Sequence, residues 1–275
     1  MSHLYPPPHH LLSDLDFEVD RSGGDLQVRL PVTPALLDAA GSVRAGVLGL
    51  ALDVFAGGLS VEAAAPDWAL TSELTLHALR PCGAGRLVVT GRALRAGRTQ
   101  RVVEARVHEA GRDAPVAIGH VGFARVPRRD DTPPSPEEPG GVYTFGDGGT
   151  PLAGSLADAL GIRRVDAAGD AGALEIPVAP YVQNSVGALQ GGVVVTLIDA
   201  AACAAGEHDL AAPVVAVDVG TRYLALGRAG PVRSETELLR RDADEALYRV
   251  ALRDVGQQDR LIDVGTARVR RAIGA

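Results

Sequence analysis

The run NSVGALQGGVVVTLIDAAACAA, Asn184 to Ala205, sets a single carboxylate, Asp199, inside an otherwise apolar segment that follows a Gly-Gly pair. Its length and composition predict a buried helix. An aspartate is a poor helix-interior residue, and its ionised form is costly to remove from water unless something pairs with it. Asp199 is therefore either a satisfied structural acid or a working group. The question doubles because a second copy exists: GSVRAGVLGLALDVFAGG, Gly41 to Gly58, carries Asp53 in the same setting. A helix apolar nearly all round has to be enclosed, and an antiparallel sheet curling round it is the natural enclosure.

Sliding one half of the chain over the other extends the match. At an offset of 146, Val32 falls on Val178, Pro34 on Pro180, Gly41 on Gly187, Gly46 on Gly192, Val47 on Val193 and Asp53 on Asp199. Near the ends, VGFARV (121–126) matches VGTARV (264–269) at an offset of 143, a shift that loop changes of three residues would produce. This predicts an internal duplication with units of ordinary domain size. Each unit reads as a short strand, a loop, the apolar helix and then strands with alternating or β-branched character. The strands are LQVRLPV, ALTSELTLHAL, RLVVTGRAL, RVVEARVHE and VAIGHVGFARV in the first half, and ALEIPVA, VVAVDVGTRYL, VRSETELL, ALYRVALRDV and RLIDVGTARV in the second. The boundaries are a Pro/His-rich flexible leader at 1–15, a first unit at 16–127, a Pro/Gly-rich linker at 128–150 and a second unit at 151–275.

Composition narrows the chemistry. The chain has 275 residues, 46% hydrophobic and 22% charged, with a net charge of −7, and all 27 of its basic residues are arginine. Without lysine there is no Schiff base and no phosphate-loop lysine, and the acidic balance argues against nucleic-acid or anionic-membrane partners. Cys82 and Cys203 have neither metal-type spacing nor a paired framework, so the expected compartment is a reducing cytoplasm. The start has no secretory pattern, and no uninterrupted run reaches a membrane span. No zinc motif, dinucleotide fingerprint or serine elbow is present. Neither a metal nor a cofactor is expected, beyond coenzyme A as part of a substrate.

The spacing Asn184, Gln190-Gly191-Gly192, Asp199 resembles the hotdog-fold acyl-CoA thioesterases, in particular the phenylacetate-pathway branch. That branch has His where this chain has Gln190. The resemblance implies an α+β fold of two hotdog domains in tandem, each an antiparallel sheet wrapped round a long helix, paired as a pseudo-dimer. It also implies acyl-CoA thioester hydrolysis at sites built across the pair. One unit gives the Asn, the His or Gln and a glycine N–H at the helix start, while the other gives the acid and a hydroxyl on the next strand. Such an N–H, aided by the helix dipole, is an oxyanion donor worth roughly 3–4 kcal/mol in acyl-transfer sites. The carboxylate serves as general base or as nucleophile.

Two composite sites follow, and they are unequal. The first joins Asn184, Gln190 and Gly191 to Asp53, with Gly192 beside the substrate and Thr71, aligned at an offset of 145 with Ala216, as the hydroxyl. The second joins Asp38, Arg44 and Ala45 to Asp199, with Ala216 where the hydroxyl would be. A guanidinium facing Asp199 would hold it in an ion pair and make it a poor base. The first site is expected to work and the second to be inactive. Gln190 keeps a hydrogen-bond donor but loses the titrating group of a histidine.

Other readings stay open. Asn184 by itself is a common turn residue. Thr71, His77, His108 and His120 are ordinary strand residues taken singly. Arg92, Arg95, Arg98 and Arg101 flank a hairpin turn that is either solvated or a hold for coenzyme A phosphates. The alternatives to a thioesterase are a catalytically inactive acyl-CoA-binding hotdog and a hotdog hydratase or dehydratase. A homodimer of such chains is also open. If second halves paired between chains, Asn184 would face Asp199 instead of Asp53.

Overall fold

The computed structural model describes residues 5–7, 9–128, 140–146, 152, 154–167 and 169–272. The first half contains α1 (Leu11–Asp14), β1 (Glu18–Asp20), β2 (Gln27–Pro31), α2 (Ala45–Ala64), β3 (Trp68–Ala78), β4 (Arg86–Ala96), β5 (Gln100–Glu109), β6 (Pro115–Val126) and β7 (Val142–Thr144). The second contains α3 (Leu156–Leu160), β8 (Arg163–Arg164), β9 (Leu174–Ile176), α4 (Gly191–Leu210), β10 (Val214–Tyr223), β11 (Val232–Arg241), β12 (Glu245–Asp254) and β13 (Arg260–Arg271). All the strands read from the periodicity form.

The strands make one antiparallel sheet in the order β7-β1-β2-β4-β5-β6-β3-β10-β13-β12-β11-β9-β8. Its centre is the β3–β10 pair, where Gly220 lies opposite Thr75 and Thr221 opposite Leu74. The two halves therefore join edge to edge within the chain, and the sheet curls round both long helices. By length and composition α2 would cross a membrane; here it is a core helix, with Val47, Leu50, Ala51, Leu52, Phe55 and Ala56 fully covered.

The helices α2 and α4 touch through glycines. A Cβ on Gly46 would stand 2.7 Å from the Thr196 Cα, one on Gly49 2.5 Å from Val195 Cγ1, and one on Gly192 2.7 Å from the Leu50 Cα. Thr196 adds a hydrogen bond from its hydroxyl to the Gly46 carbonyl, 3.2 Å across the interface. Because a backbone atom blocks Gly192, Gly192→Ala must push the helices apart. A loss of about 1–3 kcal/mol is expected, read as a lower urea midpoint at unchanged slope.

The likeness between the two halves is more regular than their letters. Gly119 pairs with Leu76 and Gly265 with Thr221. Each of these glycines makes room for the same helix position, with Leu52 Cδ1 2.5 Å from a Cβ on Gly119 and Ile198 Cδ1 2.9 Å from one on Gly265. This aligns β6 with β13 at the offset of 146, not 143. The VGFARV–VGTARV match is a coincidence: it sets Gly122, whose Cβ would meet the half-exposed Glu73, on the inward-facing Gly265.

Two expectations about the connecting segments are corrected. Residues 10–15 are packed and not a flexible leader: Leu11, Leu12, Leu15 and Phe17 form an apolar stripe that is fully buried. His10 caps α1 by accepting from the Leu12 N–H, and its other ring nitrogen lies 2.9 Å from the Gln183 carbonyl. Tyr181 donates to Asp14 at 3.0 Å, so the leader is tied to the second half. The linker contributes a strand, since β7 pairs with β1 and Tyr143 and Phe145 pack on the core. The rest of the linker, 129–139 and 147–150, lies outside the described residues, as do residues 1–4 and 8 of the leader.

Candidate active site

The turn before α4 is built by Asn184. Its side-chain oxygen accepts the N–H groups of Val186 at 3.1 Å and Ala188 at 3.0 Å, and the Gln190 N–H bonds the Val182 carbonyl. Asp38 builds the twin turn before α2 with the N–H groups of Ala40 and Ser42. Asn184 is thus a turn residue as well as a wall of the site. The turn delivers Gln190 as the residue capping α4 and Gly191 as its first helical residue, whose N–H has no acceptor within the helix.

Asp53 of α2 faces that helix start. Its Oδ2 accepts the Gly192 N–H at 2.9 Å, and its Oδ1 accepts the Thr71 hydroxyl at 2.8 Å. A Cβ on Gly191 would lie 3.0 Å from both carboxylate oxygens and 2.9 Å from the Thr71 hydroxyl, so only glycine lets the acid approach this closely. No cation pairs with Asp53 among the described residues. Burial raises its carboxyl from the ordinary 3.8 to about 6, against the lowering effect of the Thr71 and Gly192 bonds. Gln190 is also buried, and its Oε1 has no partner.

These groups open on a cavity of about 1120 Å³ that includes Asp53, Thr71, Asn184, Gln190 and Gly191 in its walls. The remaining walls are largely apolar: Leu26, Val28, Val54 and Phe123 come from the first half and Val194, Leu226 and Ile262 from the second. Tyr5, Pro6 and Leu12 of the leader and Tyr143 and Phe145 of the linker complete the enclosure. None of Arg92, Arg95, Arg98 and Arg101 lines this cavity.

Around Asp199 the arrangement differs. Arg44 Nε donates to Asp199 Oδ2 at 3.1 Å, and the acid is almost wholly buried. The Asp199 charge holds the Arg44 guanidinium strongly protonated. The Cys203 thiol donates to Asp199 Oδ1 at 3.5 Å and is pushed up by burial, consistent with a small core residue. The Thr71–Ala216 equivalence has independent support in matched bulges, between Thr71 and Glu73 on β3 and between Ala216 and Asp218 on β10. Asp199 is thus the acid of the two that has a cation for a partner. His77 pairs with Asp218 at 2.7 Å and His120 with Glu104 at 3.5 Å, both at the surface.

Two wall residues were not singled out in the sequence. Tyr223 donates its hydroxyl to the Gly191 carbonyl at 2.7 Å. It thereby fixes the peptide whose other side gives the Gly192 N–H to Asp53. Asp263 lines the same cavity and bonds Thr221. Tyr223 stands in the strand aligned with β3 but opposite an alanine, so only a residue-by-residue comparison of halves marks it. Asp263 was hidden by the offset of 143, which set it on surface His120.

No protein-family model matches the sequence, and no curated protein matches it. Solved structures do. A candidate thioesterase from Novosphingobium aromaticivorans superposes with a TM-score of 0.63 at 17% identity, over 92% of this chain and 98% of the other. An acyl-ACP thioesterase from Bacteroides thetaiotaomicron gives 0.57 at 12%, over 89% and 97%. A protein from Alicyclobacillus acidocaldarius, described as having the hot dog fold, gives 0.55 at 11%, over 89% and 92%. The chain has the hotdog fold. Its structural neighbours include thioesterases that match it over nearly their whole length.

Proposed function

We propose that the chain is a tandem double hotdog whose halves form a pseudo-dimer and that it hydrolyses an acyl-CoA thioester at the site holding Asp53. The observation that carries this reading is the placement of an unpaired, buried Asp53 against the free start of α4, inside a large apolar cavity, while Asp199 is tied to Arg44. The cavity volume suits a flexible acyl chain together with part of a pantetheine arm.

In this reading the Gly191 N–H takes the thioester oxygen, and Asn184 and Gln190 orient the carbonyl and the water. Asp53 accepts a proton from water as the hydroxide adds to the carbonyl carbon. The tetrahedral intermediate then breaks its C–S bond, and the proton returns from Asp53 to the departing thiolate, leaving free acid and coenzyme A. Attack by Asp53 itself, through an anhydride later opened by water, uses the same groups. Thr71 and the Gly192 N–H hold the carboxylate, and each oxygen keeps a lone pair for the reaction.

Release of free thiol from a panel of acyl-CoA compounds tests the proposal. Calorimetric binding of acyl-CoA without thiol release would instead make the chain a non-hydrolytic binder, the reading that the loss of histidine at Gln190 favours. Because the base must be ionised, kcat/KM is expected to rise with pH and level off above about 6. A rise centred near 4 in a pH–rate profile would remove Asp53 from that role.

A further inference from the structure

The inner face of the second half is polar at three places where its twin is apolar. In the first half Ala78 pairs with Ala117 across β3–β6; on the equivalent rung of the second half Tyr223 pairs with Asp263 across β10–β13. Thr221 likewise stands where the twin has Leu76. Leu76, Ala117, Thr221 and Asp263 are all buried. The first half thus packs this layer with hydrocarbon, so the fold itself does not require an acid there. A carboxyl group in the position of a methyl lowers stability unless something compensates it.

The protein compensates only part of Asp263. The Thr221 hydroxyl bonds its Oδ1, whereas Oδ2 is buried and has no partner. No ion pair forms with Asp263 among the described residues; the neighbouring Arg222 reaches out to the Thr221 carbonyl and to Glu73. Asp263 lines the cavity beside Ile262 and Tyr223, and the Tyr223 hydroxyl is bonded at the start of α4, where Asp53 lies. The unmatched acid therefore belongs to the wall near the thioester end of the chamber. Burial raises its carboxyl to about 7.

We infer that Asp263 is a specificity-determining residue and that the acyl group accepted here carries a hydrogen-bond donor, a hydroxyl or an amino group, close to its thioester. This inference rests on the thioesterase reading. A plain alkyl chain would leave the acid facing hydrocarbon, whereas a hydroxyl or ammonium supplies the missing partner, and sites built round such a bond discriminate strongly against the analogue that lacks it.

The test measures kcat/KM and, by calorimetry, Kd for butyryl-CoA, 3-hydroxybutyryl-CoA and β-alanyl-CoA. The wild type is expected to favour one of the two polar compounds over butyryl-CoA by at least about tenfold. The double variant Thr221→Leu/Asp263→Ala installs residues the twin half already packs, and it should reverse that preference. Asp263→Asn, which keeps the shape and an acceptor, should retain a preference for the hydroxyl and lose one for the amine. Equal selectivity in wild type and double variant, or a wild-type preference for butyryl-CoA, overturns the inference. Absence of thiol release from every compound would sink the thioesterase reading alone, because the Kd ratios still decide what Asp263 selects.

Discussion

Asp53→Asn should yield a folded protein that hydrolyses acyl-CoA roughly 10³-fold more slowly, whereas Asp199→Asn should keep most of its turnover. The substitution is nearly isosteric. The asparagine oxygen can still accept the Gly192 N–H, and the Thr71 hydroxyl can turn to accept from the new amide, so the geometry of the α4 start survives while the base is lost. A second consequence separates chemistry from folding. The folded-state pKa of Asp53 is raised, so its favourable contribution is present at low pH and is lost as pH rises through about 6. Displacement from 3.8 to about 6 corresponds to about 3 kcal/mol, and Asp53→Asn should recover much of it at pH 8 and little at pH 4. Denaturant curves of the two proteins at the two pH values check this, with thiol release measured beside them. If only Asp199→Asn abolished turnover, the assignment of the working site would be reversed.

Arg44→Ala has the next largest expected effect, and it falls on stability. Removing the guanidinium strands Asp199, which has a side chain only 1% exposed, and breaking such a pair on one side costs about 3–5 kcal/mol. Arg44 keeps 28% of its own side-chain surface in water, which places the expectation at the lower end. The double variant Arg44→Ala/Asp199→Asn should recover most of the loss, because the stranded charge goes with its partner. A double-mutant cycle in urea measures the coupling; a coupling below about 0.5 kcal/mol would mean that the pair is not what holds Asp199 in place. Turnover at the Asp53 site should change little in either variant.

Much of this was legible in the letters. The two apolar helices and the strands follow from periodicity, which is strong where a segment has one face or every face enclosed. The contrast between the two acids follows from comparing halves, since Asp53 has Thr71 and Gly191 for neighbours while Asp199 has Arg44. The segments read as leader and linker were misjudged because Pro, His and Gly mark a change of direction but do not show what the chain packs on afterwards. The leucines at 11, 12 and 15 carried that information at too short a length for a period. Asp263 was lost to a register error. A three-residue slip in a strand reverses which side of the sheet a residue faces, and similar letters concealed it.

Joining the halves in one polypeptide has a consequence for inheritance. In a pair of identical chains every substitution is copied into both sites, so an arginine that silenced one would silence the other. Here Arg44 pairs with Asp199, and Tyr5, Tyr143 and Asp263 line the chamber of Asp53. Each change is written once, so a substitution beside one acid leaves the surroundings of the other as they were.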